Sequence, residues 1–526
     1  MFLKSIKLSE TIIFRQRERD KLMKKFLIRG GISPFDNFSP LQVLCRNAIG
    51  ENSGNLLYAY GCYRSFFSDD VSLELDYYKA ERGCTQKEID KINREYDAYL
   101  IPLADAFRPD FKQKLRNYTA LINKLKIPVY LLGVGIRAPY EPNLKDGFSF
   151  DKEVKDFIKA VLNHSAIVGL RGQITADYLK SLGFKEEKDF TVIGCPSMYS
   201  KGRRLPEIRF SELKEDSRIS VNFSNTTPEN VLEMIFSNLK KYPDYCFVGQ
   251  NINDLRLLYT GINYKDAQLK EYPATMENDI FVEDRVRFFV NVPSWFSYMK
   301  ERDITIGGRL HGNIAGVLCG CAPIFIPQDA RMRELVEYHQ FPSIPSSLVE
   351  PNWDFKELVL RLDLQSHIRQ QSRNFDHFIE FLDTNGLEHI FKDDIERKEA
   401  PLDEKMDGIL YEPSVTSIVC SSPEEAIDRC REYAVSLSAQ KDALKKRNAN
   451  LTEKLQISEK KCSKLLKDLR MSEQNLANAQ ELIKHPTKLT RYYLRAAKRK
   501  IKKTTPSNEK NGRNNTYIEK EKAVVR

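Results

Sequence analysis

Short apolar runs alternate with longer amphipathic stretches over residues 41–350, and turns rich in glycine, proline and asparagine separate them. Apolar runs of roughly four to eight residues are typical of buried strands, whereas apolar positions three and four apart are typical of helices. This alternation predicts parallel sheets covered by helices on both faces. Strands are expected at 40–44, 98–103, 127–132, 166–170 and 190–193, then at 219–223, 246–248, 286–290, 304–306 and 322–326.

A polar, charged stretch at 202–217 divides the strands into two series, so we predict two α/β domains with a cleft between them. The predicted boundaries are an N-terminal extension without assigned role (1–40), a first α/β domain (41–201), a linker (202–217), a second α/β domain (218–350), a helical segment bracing the core (351–395), a second linker (396–422), a coiled coil (423–485), and a basic helix with a disordered tail (486–526).

Composition fits a globular chain of 526 residues, 41% of them hydrophobic. The formal net charge of +10 collects toward the C-terminal end rather than over the predicted domains. The ten cysteines contain no CxxC pair, which favours buried thiols in a reducing compartment over a zinc site. We find no run long enough for a membrane span and no signal peptide, so we expect a cytoplasmic protein.

A heptad pattern begins near Pro423. Asn448 falls at one of the two core positions of the heptad, where asparagine favours a parallel dimer. Ser458 and Ser472 interrupt the row of apolar residues at the other core position. We predict a parallel homodimer, and a solvated helix without a partner is the alternative. The core leucines are Leu437, Leu444, Leu451 and Leu465 in one row; Ala434, Lys441, Leu455, Cys462, Leu469, Leu476 and Ile483 share the row of Asn448.

The stretch 488–503 contains no acidic residue and carries Tyr492 and Tyr493 among its lysines and arginines. A basic helix with aromatic side chains is suited to an anionic lipid surface. We predict peripheral contact with the inner face of the cytoplasmic membrane. Nucleic acid is the competing partner, which we rank below lipid, and a disordered tail is expected beyond Thr504.

The candidate chemistry gathers in DITIGGRLHGNIAGVLCGCAPIFIPQ, residues 303–328. Arg309 and His311 follow a predicted strand and begin a helix, a place where open α/β sheets bind anions. A cation and a titratable imidazole there indicate an anion site with a proton donor. The competing interpretation is an arginine that bonds helix-end carbonyls and a histidine packed in a crevice, and these residues alone favour neither.

Other polar residues follow successive strands of the first series: Asn52, Asp105, Arg137, Arg171 and Ser197. If the sheet is parallel, all of them fall at one edge. Asp105 is either a helix cap or a site carboxylate. The glycines around Asn52 match neither a GxGxxG nor a P-loop spacing, so a plain strand-to-helix turn explains them equally well.

Several segments within residues 40–345 resemble the polysaccharide pyruvyl transferase family. They are LLGVGIRAP, AIVGLRGQITADYLKSLGF with TVIGCPS, and DITIGGRLHGNIAGVLCGCAPIFIP with DARMREL. The resemblance implies a fold like that of the GT-B glycosyltransferases. It also implies transfer of a pyruvyl group from phosphoenolpyruvate to hydroxyls of a saccharide or lipid-linked saccharide acceptor, which forms a ketal and releases phosphate. A nucleotide-sugar-dependent glycosyltransferase and a non-catalytic dimeric scaffold are the alternatives.

Arg309 and His311 match the RLH residues of the family, Arg171 matches the arginine that ends a strand, and Asp105 matches more loosely. We expect His311, titrating near neutrality, to protonate the methylene carbon and Asp105 to accept a hydroxyl proton. The cations Arg171, Arg309 and Arg137, with Asn52, are expected to bind substrate. The scheme requires no metal and no cofactor besides phosphoenolpyruvate as co-substrate. The Gly194-Cys195-Pro196 turn departs from the family pattern, and we assign Cys195 no chemistry.

Overall fold

The computed structural model describes residues 23–210, 212–264, 272–484 and 486–504. The chain divides into two compact units, one up to Leu437 and one from Ser438 onward. The first unit contains both sheets and the candidate site. The tail beyond Thr504, predicted to be disordered, lies outside the described residues.

The first sheet is parallel throughout, with strand order β2-β1-β3-β4. A parallel pair, β5-β6, continues it, because Val134 just after β4 bridges Leu170 in β5. The strands are β1 (Lys24–Ile28), β2 (Val71–Leu75), β3 (Ala98–Pro102), β4 (Val129–Leu132), β5 (Val168–Leu170) and β6 (Phe190–Val192).

The second sheet is also parallel, with order β11-β10-β7-β8-β9. Its strands are β7 (Ile219–Asn222), β8 (Tyr245–Gly249), β9 (Val286–Phe288), β10 (Ile304–Gly307) and β11 (Ala322–Phe325). Read from β9, this is the Rossmann order 3-2-1-4-5, whose direction of winding reverses between β7 and β10. The predicted fold class, two Rossmann-like parallel sheets in a GT-B-like arrangement, is confirmed.

Helices connect the strands, as the alternating pattern predicts. In the first half they are α1 (Pro40–Arg46), α2 (Gly54–Phe66), α3 (Lys79–Arg82), α4 (Gln86–Glu95), α5 (Lys112–Ile122), α6 (Asp151–Leu162) and α7 (Gln173–Ser181). In the second half they are α8 (Glu229–Leu239), α9 (Ile252–Thr260), α10 (Asp279–Val282), α11 (Val292–Met299), α12 (Leu310–Val317) and α13 (Ala330–His339). They are followed by α14 (Phe355–Arg361), α15 (Ser366–Thr384) and α16 (Pro401–Met406).

Two predictions about the N-terminal region are wrong. The strand expected at 40–44 is helix α1, because Ser39 and Gln42 form a capping box that starts a helix there. The stretch 1–40, given no role, contains β1, which lies between β2 and β3 inside the sheet. The edge strand β2 was also not predicted. The domain boundaries given above stay predictions.

A buried apolar cluster runs through both halves of the first unit, from Ile28 in β1 to Ile306 in β10. Helix α15 packs on the first half, where Phe378 stacks on Tyr199 with ring centroids 4.4 Å apart. Just after this helix, Asn385 Oδ1 accepts hydrogen bonds from the backbone at residues 166 and 167. The chain therefore returns from the second sheet to the first before it leaves the core.

The C-terminal region is helical, with α17 (Pro423–Lys484) and α18 (Pro486–Thr504). The core-position leucines at 444, 451, 455, 465, 469 and 476 are all exposed. Tyr492 and Tyr493 are exposed as well. Within the described residues, no helix combines the length and apolarity required to cross a bilayer.

Candidate active site

The carboxyl ends of strands from both sheets line a cleft of about 690 Å³. It lies at the two places where open α/β sheets bind ligands: beside β1 and β3 in the first sheet, and beside β7 and β10 in the second. All six residues singled out from the sequence line this one cleft: Asn52, Asp105, Arg137, Arg171, Arg309 and His311.

His311 lies in the first turn of α12, half-buried between the two halves. Its ring meets the Tyr58 ring edge-on, with centroids 6.0 Å apart, and its Nε2 lies 3.7 Å from Cys195 Sγ. The first residue of α2 is Gly54, and a Cβ there would come within 2.5 Å of His311 Nδ1. The absence of a side chain at Gly54 therefore makes the room in which the imidazole sits.

The electrostatic surroundings of His311 correct one expectation. Burial, together with the guanidinium groups of Arg171, Arg331 and Arg309, lowers the pKa of His311 to about 3. Before an anion binds, the imidazole is thus neutral at physiological pH rather than titrating near neutrality. A negative charge placed among the same three arginines would cancel their repulsion and raise this pKa.

Arg171 follows β5 and is only 1% exposed. Its backbone N–H donates to the Val134 carbonyl at 2.9 Å, which fixes its position at the strand end. Nε and Nη2 of its guanidinium are buried without a hydrogen-bond partner, and its Cζ lies 5.8 Å from the centre of the Tyr58 ring. A buried cation with unused donors is costly, so the geometry favours an anionic ligand at this point.

Arg309 occupies the N-cap of α12, directly after β10. Its backbone N–H donates to Asn222 Oδ1 at 2.8 Å, and the Asn222 amide donates to Asn313 Oδ1 at 2.7 Å. Asn222 ends β7, so one side chain ties together both strands at the switch point. The Arg309 Nη2 is also buried without a partner.

Arg331, which the sequence did not single out, lies one residue inside α13 and completes the set of cations. Its guanidinium bonds Asp105 at 3.2 Å and Asp329 at 3.1 Å, and its Nε is unpartnered. Asp329 caps the same helix. The signal was present in the DARMREL segment, but the sequence pattern alone indicates only a helix start there.

Asp105 is held between Arg331 and Arg108, whose guanidinium lies 2.9 Å away. Burial by itself would raise the pKa of Asp105, but these two arginines outweigh it and hold the pKa at about 2. The carboxylate is therefore ionised and a weak base. Of the two sequence alternatives, a helix cap or a site carboxylate, the bonds of Asp105 to two arginines of the cleft fit the site carboxylate.

Asn52 and Arg137 also line the cleft. The Asn52 Oδ1 accepts from the Gly54 backbone N–H at 2.7 Å, so this amide shapes the turn before α2. Beside it, the Ser53 N–H donates to the Gln250 carbonyl at 2.8 Å and the Ile252 N–H donates to the Glu51 carbonyl at 3.0 Å. We call this pair of main-chain bonds the 51–53/250–252 clasp. Arg137 is exposed on the cleft wall.

The cleft as a whole is cationic. Of its charged residues, nine are basic and three are acidic: Arg29, Arg46, Arg82, Arg108, Lys114, Arg137, Arg171, Arg309 and Arg331 against Glu51, Glu81 and Asp105. In the part of the chain that the structure describes, no cluster of three or more histidine, cysteine or acidic side chains could hold a metal ion. The arrangement is suited to a small molecule with several negative charges.

The model of the polysaccharide pyruvyl transferase family matches residues 50–329, just over half of this chain. The chain belongs to the polysaccharide pyruvyl transferase family. The matched region contains Arg137, Arg171, Arg309 and His311 and ends two residues before Arg331. As a member of this family the chain is a transferase. A comparison with curated proteins gave no match.

Three solved structures resemble this pyruvyl transferase family member at low identity and low TM-score. A functionally uncharacterised Klebsiella pneumoniae protein is 15% identical, with 64% of this chain and 94% of that chain covered and a TM-score of 0.32. Anabaena HepE, solved with UDP and glucose, is 13% identical, with 69% and 97% covered and a TM-score of 0.33. Neisseria meningitidis UDP-GlcNAc 2-epimerase, bound to UDP-GlcNAc, is 12% identical, with 69% and 100% covered and a TM-score of 0.35. We draw no functional inference from these three.

Proposed function

We propose that the protein transfers a pyruvyl group from phosphoenolpyruvate to hydroxyls of a sugar in a cell-surface polysaccharide or its precursor, forming a ketal and releasing phosphate. The observation that carries the proposal is the convergence of Arg171, Arg309 and Arg331 on His311, each close enough to lower its pKa. Family membership gives the reaction class, and this cluster supports the choice of donor.

Phosphoenolpyruvate carries a carboxylate and a phosphate, and each can accept a two-pronged pair of hydrogen bonds from a guanidinium. Arg171, Arg309 and Arg331 all have buried N–H groups that find no partner among the described residues. Three guanidinium groups are therefore available to the two anionic groups of the donor. Binding would satisfy donors that the protein alone leaves unsatisfied.

We assign His311 the proton transfers. Anion binding raises its pKa, so that the imidazole is protonated in the complex and can give its proton to the methylene carbon while the first sugar hydroxyl adds to the neighbouring carbon. The imidazole, now neutral, takes the proton of that hydroxyl. The carbon–oxygen bond to phosphate then breaks, the second hydroxyl adds, and its proton leaves with the phosphate. One hydroxyl proton thus ends on the methyl group and the other on phosphate.

We assign Asp105 a positioning role in place of the expected base. A carboxylate with a pKa near 2 holds protons poorly at neutral pH, whereas its bonds to Arg108 and Arg331 fix the direction of the Arg331 guanidinium. The negative charge also limits the repulsion among the clustered cations. Arg137, at the exposed wall, would contact the acceptor side of the cleft.

Phosphate release from phosphoenolpyruvate in the presence of a panel of sugar acceptors tests the proposal. The wild-type protein should release phosphate, and His311→Ala should not. His164→Ala, which changes a histidine outside the cleft, is the matched control and should keep the wild-type rate. Equal release by His311→Ala and the wild type would contradict the assignment.

Calorimetric titration separates the alternatives that the sequence left open. Binding of phosphoenolpyruvate, lost in Arg309→Gln, supports pyruvyl transfer. Tight binding of a nucleotide sugar without binding of phosphoenolpyruvate would favour a GT-B-type glycosyltransferase. Binding of neither, together with unchanged biological function in the Arg309→Gln/His311→Ala double variant, would favour a non-catalytic scaffold.

We further propose that α17 forms a parallel homodimer. Its exposed leucines share heptad rows with Asn448 and Cys462. In a parallel, in-register pair, equivalent core positions face each other, so mild oxidation should join the two Cys462 side chains and give a covalent dimer. Cys462→Ser should abolish that product and Cys420→Ser, an exposed cysteine outside the heptads, should retain it. A monomer in sedimentation equilibrium would contradict the proposal.

We propose peripheral membrane contact for α18, whose exposed Arg491, Arg495, Lys498 and Arg499 lie beside two exposed tyrosines. Each cation near an anionic bilayer contributes about 1 kcal/mol. The full chain should sediment with vesicles of phosphatidylglycerol but not of phosphatidylcholine, and changing the four cations to glutamine should abolish this. Binding to DNA or RNA with no binding to vesicles would contradict it.

A further inference from the structure

The cleft extends well beyond the three arginines that surround His311. Phosphoenolpyruvate, a three-carbon acid with one phosphate, would fill only part of about 690 Å³. The outer part is lined by segments that follow β1 and β2 in the first sheet, among them Tyr77, Tyr78 and Arg46. No role was assigned to these residues from the sequence.

The loop after β2 is strained. Tyr77 has φ of 51° and Tyr78 has φ of 55°, the left-handed region that bulky residues rarely adopt. Such a residue costs on the order of 1–3 kcal/mol and persists only where its surroundings impose it. Two consecutive tyrosines in this conformation indicate that the side-chain positions they produce are used for something other than stability.

Specific contacts impose the strained conformation. The buried Asp76 Oδ1 accepts from the Tyr78 backbone N–H at 2.8 Å, and the Arg82 guanidinium donates to the Tyr77 carbonyl at 2.8 Å. The Tyr78 ring lies so close to Gly31 and Gly50 that a Cβ at either would come within 2.8 Å of it. Tyr78 is thereby clamped, and its neighbour is turned outward.

The outward side chain is the Tyr77 ring, which is 49% exposed on the cleft wall. An exposed, rigidly held aromatic face is the usual surface on which a sugar ring stacks, because the ring presents its apolar C–H groups to the aromatic face. Tyr77 is one of the few large apolar groups that the outer cleft offers to a ligand.

The cleft wall around Tyr77 favours a sugar that carries a negative group, because Arg46 and Arg82 line this cleft with Tyr77. Burial, together with Asp36 and Glu74, raises the pKa of Tyr77 and Arg46 opposes the rise, but neither of these two acids lines the cleft. Arg46 lies 5.0 Å over the Phe38 ring, and among the described residues it forms no ion pair.

The acids on the same wall are already engaged. Glu81 is paired with Arg29 and Lys114, and Glu51 accepts a hydrogen bond from Asn47. An acidic substituent on a bound sugar would therefore meet an Arg46 side chain that forms no ion pair among the described residues.

We propose that Tyr77 and Arg46 form an acceptor subsite, in which a sugar ring stacks on Tyr77 and an anionic substituent of that sugar pairs with Arg46. This inference rests on the proposed function only in naming the bound sugar as the acceptor. The ligand class is an acidic saccharide, and a ring carboxylate or a phosphate would supply the same charge.

Saturation-transfer NMR and calorimetry with three probes test the subsite: methyl glucoside, methyl glucuronoside and glucose 1-phosphate. The wild-type protein should bind the two charged probes more tightly than the neutral one. Tyr77→Gly should weaken all three about tenfold while Tyr77→Phe keeps the wild-type affinities. Arg46→Gln should remove the preference for charge and leave glucoside binding unchanged. A preference between carboxylate and phosphate identifies the source of the charge.

Two further measurements keep the result unambiguous. Tyr77→Gly should raise the melting temperature, because glycine adopts a positive φ without strain, so weaker binding cannot be attributed to unfolding. Tyr433→Ala, at a partly exposed tyrosine that does not line the cleft, is the matched control and should bind like the wild type. Phosphoenolpyruvate affinity should be unchanged in Tyr77→Gly, which separates this inference from the donor site. Wild-type affinities in Tyr77→Gly, or no binding of any probe by the wild type, would overturn the subsite.

Discussion

Replacing Gly54 by alanine should inactivate the protein without unfolding it. The new Cβ would lie 2.5 Å from His311 Nδ1 and 2.9 Å from Asn52 Oδ1, whereas ordinary contact begins at 3.4 Å. The imidazole must therefore retreat by about 0.9 Å, the difference between 3.4 Å and 2.5 Å. A displacement of roughly 1 Å in a reacting group can cost about 100-fold in rate.

Stability should change little. The overlaps of the new Cβ would cost about 1–3 kcal/mol if nothing moved, and the retreat of the imidazole into the cleft relieves them. The urea midpoint of Gly54→Ala should therefore stay close to that of the wild type. The assay is kcat/KM for phosphate release from phosphoenolpyruvate, measured beside the unfolding curve.

Gly183→Ala provides the reciprocal control. Gly183 has φ of 95° and nothing within 4 Å of its Cβ position, so alanine there is strained but touches nothing. It should lose about 1–2 kcal/mol of stability and keep full activity. If Gly54→Ala retains kcat/KM within about twofold of the wild type, the inferred position of the His311 ring is not the catalytic one.

Three further predictions follow from the charges. Binding of phosphoenolpyruvate at pH 7 should take up a proton in the wild type and none in His311→Ala. The reason is that anion binding raises the pKa of the His311 imidazole, which is about 3 in the free protein. Calorimetry in buffers of different ionisation enthalpy measures this proton uptake. Stability should fall as pH drops from 6.5 toward 4, because burial lowers the pKa of His339 to about 3 and of His367 to about 4, and the unfolded chain binds more protons in that window. The slope is at most about 1.4 kcal/mol per pH unit for each histidine, and His367→Phe should reduce it in urea titrations. Arg331→Gln should weaken phosphoenolpyruvate binding by at least about tenfold, because one charge-assisted hydrogen bond is lost. Arg331→Lys should recover only part of the wild-type affinity. Unchanged affinity in Arg331→Gln would show that Arg331 does not belong to the donor site.

Most of the sheet architecture could be predicted because its strands are continuous apolar runs bounded by glycine or proline. β1 was missed because Lys24 and Lys25 begin it and only three apolar residues follow. β2 alternates buried and less buried positions, a period-two pattern on an edge strand that is too short to stand out. At 40–44 the apolar run predicts a strand, but the capping box of Ser39 and Gln42 starts a helix there.

The site could be predicted where residues follow strands, and not where position depends on distant parts of the chain. Arg171, Arg309 and His311 end strands or begin helices, so parallel topology alone brings them to one edge. Arg331 reaches the same point from the first turn of α13, and Tyr77 reaches the cleft through a strained turn. No local pattern indicates either position. The low pKa of His311 comes from burial and from three arginines, Arg171, Arg309 and Arg331, that are far apart in the chain.

The 51–53/250–252 clasp constrains how the cleft can admit its substrates. Because both donors are backbone N–H groups, only a proline at position 53 or 252 removes one of the bonds. A wide hinge rotation between the sheets would have to break both bonds at about 1 kcal/mol each. Exchange of donor and product is then expected through the mouth of a pre-assembled pocket rather than by opening and closing of two lobes. The relative position of the donor-binding and acceptor-binding residues would thus be fixed when the chain folds, before either substrate binds.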